Sequence, residues 1–291
     1  MTTMFSRGDI VIKRIVELEV PFSAALSFLP DLRPEVLAEH RSWLVPKALT
    51  PDGQLIFCFQ SYVVHTPRHT ILIDSCIGNH KNRTAFPAMH MKSDETYMRA
   101  LATAGLAVDD IDFVLCTHLH FDHVGWNTRL VNGRWLPTFP QARYLFGRQE
   151  FDHWVHLRKT GGYHNIEHLH DAIDPIVAAG LADYVGTDYR LTDEVSLFPT
   201  PGHTPGHVSV LISSRGEEAV ITGDLMHHPI QLADPSRPAN FDMDKAQGAL
   251  TRQAFVERFA NSKVRIIGSH FCDPSSGWIE RHGHRWKLRT E

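Results

Sequence analysis

The run Ile111-Asp112-Phe113-Val114-Leu115-Cys116 passes straight into Thr117-His118-Leu119-His120-Phe121-Asp122-His123. A short, largely apolar run of this kind reads as a buried strand. Loops at strand ends are where a rigid scaffold can bring side chains to one point. In an extended segment residues two apart point the same way, so His118 and His120 face one point together. As the chain turns, Asp122 and His123 face elsewhere, toward a second point close by. Imidazole and carboxylate donors suit zinc and other first-row divalent ions. A surface histidine cluster is the alternative, and four ligand-type residues directly after a strand speak against it.

Three later positions repeat the arrangement. His203 sits in Thr200-Pro201-Gly202-His203-Thr204-Pro205-Gly206-His207, where two Pro-Gly steps fix a sharp loop. His203 is the better ligand candidate there, and His207, opening the next strand, reads as support. Asp224 follows Ala219-Val220-Ile221-Thr222-Gly223, and a carboxylate at that strand end has two oxygens with which to bridge two cations. His270 follows Arg265-Ile266-Ile267-Gly268-Ser269. With 20 histidines in 291 residues, the placement of each cluster matters. His153, His156, His164, His168 and His170 follow no ligand spacing and read as a solvated helix face.

Composition narrows the partners. Hydrophobic residues make up 43% and charged residues 21%, which is ordinary globular material. The net charge is −4, and no cationic run tracks a phosphate backbone, which argues against nucleic acid. Cys58, Cys76, Cys116 and Cys272 form no C-x-x-C pair and read as buried reduced thiols. The first apolar run, 10–20, is broken by Lys13, Arg14, Glu17 and Glu19, unlike an export signal, and no stretch has the length of a membrane span. The expectation is a cytoplasmic protein with a small-molecule substrate and no membrane or nucleic-acid partner.

The expected strands are 10–20, 55–64, 70–74, 111–116, 142–146, 195–199, 207–213, 219–222 and 265–268, with a closing hairpin around His282-Gly283. Helices are expected at 93–104, capped by Ser93 or Asp94 and stopped by Gly105, at 149–180 in two pieces broken near Gly161-Gly162, and at 244–260. Segment 21–53 interleaves Pro21, Pro30, Pro34, Pro46 and Pro51 with Phe22, Phe28, Leu32 and Trp43. It reads as a packed loop with a short helix, either a lid or dimerisation segment or plain core cover. No linker divides the chain, so 1–291 is expected to form a single α/β (α+β) domain of two packed sheets with helices outside.

The ordered set H-x-H-x-D-H, T-P-G-H-T-P-G-H, G-D and a late strand-end histidine resembles the metallo-β-lactamase superfamily, from about Leu55 to His270. That resemblance implies an αββα sandwich of two mixed β-sheets flanked by helices, with a dinuclear site at one edge. It implies one metal on His118, His120 and His203, another on Asp122, His123 and His270, and Asp224 bridging both. Asp74, in Leu72-Ile73-Asp74-Ser75, matches an aspartate that buttresses the ligands. The two ions, expected as zinc with manganese, cobalt or iron as alternatives, would share a water and make hydroxide available near neutral pH. Asp122, a carboxylate beside that nucleophile, is the expected proton shuttle.

Within the family, Asp224 counts against β-lactamase activity and His120 against the redox flavodiiron branch. The full second ligand set counts against a mononuclear iron persulfide dioxygenase, the alternative of another class. About twenty residues follow His270, which leaves little room for the helical domain of glutathione thioesterases. Segment 21–53 and the late motifs look most like the branch of acyl-homoserine lactonases and organophosphate hydrolases. The expected reaction is therefore hydrolysis of a small ester, foremost an N-acyl-homoserine-lactone-like lactone, with organophosphates or aryl esters as the alternative. Related enzymes are often dimers, and a homodimer is a matching expectation. Where lactonases often place a tyrosine three residues after the bridging aspartate, this chain has His227, followed by His228. Both are candidate substrate contacts, and His227 is equally readable as packed or supporting. Trp126, just past the metal loop, is a candidate pocket wall or a core residue.

Overall fold

The computed structural model describes residues 4–162 and 166–290, so His164 lies outside the described residues. The chain separates into two compact units, Met1–Leu18 with Phe59–Thr187 and Glu19–Cys58 with Asp188–Glu291.

The first unit is built on a seven-stranded mixed sheet. Its strands run in the order Met4–Arg7, Ile10–Ala24, Gln54–His65, Thr70–Ile73, Phe113–Leu115, Arg143–Gly147 and Ala182–Val185. The last four are mutually parallel, while Met4–Arg7 pairs antiparallel with Ile10–Ala24 and Gln54–His65 pairs antiparallel with Thr70–Ile73. Parallel neighbours need crossovers, which helices Thr96–Thr103 and Arg148–Thr160 supply among other segments. Asp94 begins the first of these by accepting the Thr96 N–H at 2.8 Å. Gly161, in the left-handed region at φ 67°, ends the second, as its sequence position suggests. Phe113–Leu115 has parallel neighbours on both sides, and the H-x-H-x-D-H loop leaves from its carboxyl end. That end of parallel strands is where α/β sheets place their sites.

The second unit carries a six-stranded sheet ordered Val195–Pro199, Val208–Ser214, Glu217–Ile221, Arg265–Ile267, Ser276–His282 and Arg285–Arg289. Its one parallel pair, Glu217–Ile221 with Arg265–Ile267, encloses helix Lys245–Phe259, whose cap Asp244 accepts the Gln247 N–H at 2.9 Å. Phe255, Val256 and Phe259 on that helix bury against Val220, Ile266 and Ile279 of the sheet. Segment 21–53 lies wholly in this unit. It begins as the end of strand Ile10–Ala24 and continues through helices Ala25–Phe28 and Pro34–Leu44. Its Phe28, Leu29, Leu32, Val36, Leu44 and Leu49 are buried, so much of it is packed core.

Three departures from the sequence expectations have local causes. Strands Thr128–Val131 and Arg134–Pro137 form an extra hairpin around Asn132-Gly133, both at positive φ (50° and 76°), a turn that asparagine and glycine favour. Strand Ala182–Val185 closes the first sheet's edge. The helix 153–170 histidines are not uniformly solvated: His156 and His170 are exposed, while His168 is buried edge-on against Trp154 at 4.7 Å. All four cysteines are buried thiols outside any disulfide. Among the described residues no helix is long and apolar enough to cross a membrane.

Two buried histidines of the second unit make stability pH-dependent. His40 Nδ1 accepts the Trp43 Nε1–H at 3.1 Å, and His228 Nδ1 accepts the Ile230 N–H at 3.1 Å. Both bonds require the neutral ring. Burial above all lowers each histidine to about 4. The unfolded chain takes up these protons near pH 6.5, so their contribution is complete above that pH and is lost as the pH falls toward 4. Denaturant midpoints should therefore be lower at pH 5 than at pH 7.5, and His40→Gln should show a shallower fall. Equal slopes for the two proteins would contradict the role given to His40.

Candidate metal centre

In the first unit the metal-type residues are held from behind by one carboxylate. Asp74 follows strand Thr70–Ile73 in the left-handed region at φ 56°. Its Oδ1 accepts the Thr117 N–H at 2.7 Å, and its Oδ2 accepts the Thr117 hydroxyl at 2.9 Å and His123 Nδ1–H at 2.9 Å. Because Thr117 Oγ1 spends its proton on Asp74, its 3.1 Å contact with His118 Nδ1 is an N–H of the imidazole donating to oxygen. The lone pairs of His118 and His123 are thereby fixed on Nε2. His118 Nε2 lies 3.0 Å from His120 Nδ1, and the His118 and His123 rings are 4.1 Å apart. Asp122 Oδ2 is 3.8 Å from His123 Nε2 and is the more exposed of the two side chains.

Close backbone packing sets this loop. Short helix Phe121–Val124 ends at Gly125, whose N–H donates to Cys76 O at 2.7 Å. A Cβ at Gly125 would lie 1.8 Å from Ile77 O, so only glycine lets the two segments meet. Glu150, buried on helix Arg148–Thr160, accepts the Leu119 N–H at 3.2 Å and Trp154 Nε1–H at 2.7 Å. It thus anchors the backbone between His118 and His120.

In the second unit Asp224 follows strand Glu217–Ile221 and is surrounded by imidazoles. His203 Nε2 and His227 Nε2 each lie 3.3 Å from its Oδ2, and His270 Nε2 lies 3.1 Å from its Oδ1. His270 Nδ1–H donates to Cys58 O at 3.1 Å, which leaves its Nε2 lone pair facing the carboxylate. His207 supports the turn: its Nε2 accepts the Asp224 N–H at 2.8 Å while Nδ1 is held by Thr200. Behind His203, Asp242 Oδ1 lies 3.8 Å from Nδ1, and Asp242 Oδ2 is paired with buried Arg252 at 2.7 Å. Burial works to raise the Asp242 carboxyl, yet His203 and Arg252 hold it well below the usual carboxylate range. Gly202, at φ 133°, packs on helix Lys245–Phe259 where a Cβ would lie 2.3 Å from Gly248.

The three substrate-contact candidates separate. Trp126 is a core residue and no pocket rim: its ring stacks on Tyr97 at 5.2 Å, and its Nε1–H donates at 2.9 Å to buried Glu17. His228 is structural as well, with Nε2–H donating to Ala48 O at 2.8 Å and Nδ1 serving as a helix cap. His227 alone stays at the Asp224 carboxylate. Glu150, Glu17, Asp242 and Arg252 went unread in the sequence, since each acts through a partner remote along the chain or carries no motif.

The donor set fits divalent cations. Tautomers fixed by hydrogen bonds leave Nε2 of His118, His123 and His270 with its lone pair, and that of His270 faces the Asp224 carboxylate, an arrangement that positive charge stabilises. Asp74→Ala frees both Thr117 and His123 and should weaken metal affinity by about 10–100-fold, read by competition with a chelator. Unchanged affinity would contradict the buttressing role.

A family model for the metallo-beta-lactamase superfamily matches residues 60–270. An N-acyl homoserine lactonase from a Bacillus species is 27% identical over 238 residues, 78% of this chain and 86% of the relative. The N-acyl homoserine lactonase AiiA of Bacillus thuringiensis subsp. kurstaki matches to the same extent. Among solved structures, the dizinc quorum-quenching lactonase AidC, in complex with the product N-hexnoyl-L-homoserine, aligns with a TM-score of 0.80 at 20% identity. It covers 100% of this chain and 97% of its own. AbOPH, a hydrolase of the beta lactamase superfamily, aligns with a TM-score of 0.82 at 22% identity, covering 100% and 98%. Two mixed sheets flanked by helices, and a matched region spanning most of the sequence, establish that this chain belongs to the metallo-β-lactamase superfamily.

Proposed function

We propose that the chain is a dinuclear metal-dependent hydrolase of a small ester, foremost an N-acyl-homoserine-lactone-like lactone. In this reading His118, His120 and His203 with Asp224 would hold one ion and Asp122, His123 and His270 the other, with Asp224 serving both. The observation that carries it is the Asp224 carboxylate, which turns Oδ2 to His203 and Oδ1 to His270. The lactonase relatives, matched over 86% of their length, support the choice of a lactone. Zinc is the first candidate metal.

Bound divalent ions would supply Lewis acidity and an activated water near neutral pH. Opening a lactone forms one bond from water oxygen to the carbonyl carbon and breaks the ring C–O bond, so the leaving oxygen needs a proton. We assign that proton to Asp122, a choice supported by its partly exposed carboxylate, whereas Asp74 and Asp224 are buried and engaged. Asp74 keeps His123 oriented throughout, and Glu150 keeps the His118–His120 backbone from shifting. Segment 21–53 contributes Phe28 to the surroundings of His227, 5.2 Å away, which fits a role as pocket wall. Four buried thiols fit a reducing, cytoplasmic setting.

Protein assayed with zinc, manganese or cobalt against lactones, aryl esters and phosphotriesters should open lactones best. It should lose activity with a chelator and regain it on adding metal. Asp122→Asn should lower kcat by about 10²–10⁴-fold. Turnover of phosphotriesters or aryl esters in preference to every lactone would overturn the substrate assignment, and chelator-resistant turnover would overturn the metal mechanism.

A further inference from the structure

His227 is not needed by the ligand sets above, yet it stands in the same relation to Asp224 as His203 does. Each presents Nε2 at 3.3 Å from the same oxygen, Oδ2. Two donors on one ion with bonds of roughly 2.1 Å are separated by roughly 3.0–3.4 Å, from octahedral to tetrahedral angles. The 3.3 Å spacing lies in that range for both histidines. The His203 and His227 rings meet edge-on at 4.7 Å, so the two imidazoles approach Oδ2 side by side.

The rest of the His227 environment offers its ring no polar partner. Phe28 packs edge-on at 5.2 Å, Phe57 lies at 6.2 Å and Phe241 at 6.3 Å. Its Nε2 faces the Asp224 carboxylate alone, and its Nδ1 makes no hydrogen bond to the described residues, although the residue is only 2% exposed. Buried polar groups without partners are rare and each calls for an explanation. The neighbouring His228 shows the contrast, with both its nitrogens bonded to backbone.

We propose that His227 is an additional metal ligand, joining the ion on the Oδ2 side of Asp224. The inference rests on the metal-centre reading above. With His118, His120, His203 and Asp224 it gives that ion five protein donors. Zinc most often takes four ligands, whereas manganese, iron and cobalt accept five or six in nitrogen and oxygen sites. His227 thereby biases the centre toward the ions of higher coordination number. A hydrogen bond from His227 to the substrate is the competing role, and the test separates the two.

Cobalt(II) reports its own coordination, since four-coordinate sites absorb intensely in the visible and five- or six-coordinate sites weakly. The cobalt-loaded protein should take up two ions, one with weak bands. His227→Phe, which suits the phenylalanine surroundings, and His227→Tyr should both gain visible intensity. Both should bind one of the two ions about tenfold or more weakly. Circular dichroism checks that each variant is folded, and if one is not, the other carries the comparison. An intense four-coordinate spectrum for both ions in the unsubstituted protein would overturn the inference. So would variants whose spectrum and cobalt affinity match it while only KM for lactone rises. Uptake of fewer than two cobalt ions by the unsubstituted protein would instead remove the dinuclear reading itself, and the inference with it.

Discussion

Nitrogen and oxygen donors that suit a cation meet at one buried carboxylate. Asp224 has nitrogens of His203, His227 and His270 within 3.1–3.3 Å of its oxygens. Its surroundings are held from outside. Cys58 O holds His270, and His207 holds the Asp224 backbone. The first unit repeats the logic with Asp74, which orients His123 directly and His118 through the Thr117 hydroxyl. The folded chain gathers such donors at one kind of place, and divalent cations are what would join them.

The scaffold makes this gathering possible through strand ends. Asp74, the H-x-H-x-D-H loop, Asp224 and His270 each follow a short buried strand whose own backbone bonds are already satisfied in a ladder. Helices and loops then press on the turns. Glu150 reaches the loop backbone from helix Arg148–Thr160, and Gly202 rests on Gly248 of helix Lys245–Phe259. Close approach at Gly125 and Gly202 is a steric requirement, so a methyl group at either position would displace the ligand that adjoins it.

Much of this was legible in the sequence, because local patterns encode it. The apolar run 111–116 read as a buried strand, the two-residue period of the extended chain after it turned His118 and His120 the same way, and the strands before His203, Asp224 and His270 were readable from apolar runs bounded by turns. The buttressing place of Asp74 came through family resemblance. What stayed hidden depends on distant partners. Trp126 sits three residues beyond a metal-type histidine, but its indole N–H finds Glu17, 109 positions earlier. His228 looked like a pocket residue until its ring proved to hold Ala48 and Ile230. Arg252 carries no motif and is intelligible only through Asp242. The Asn132-Gly133 turn was available in the sequence, yet its strands are four residues each and alternate too briefly to stand out.

The most direct measurement is anomalous diffraction from crystals of the metal-loaded protein, collected at the absorption edge of the bound ion. The proposed centre gives two peaks roughly 3.5–4 Å apart, one toward each oxygen of Asp224. A single peak, or peaks remote from that carboxylate, would contradict it.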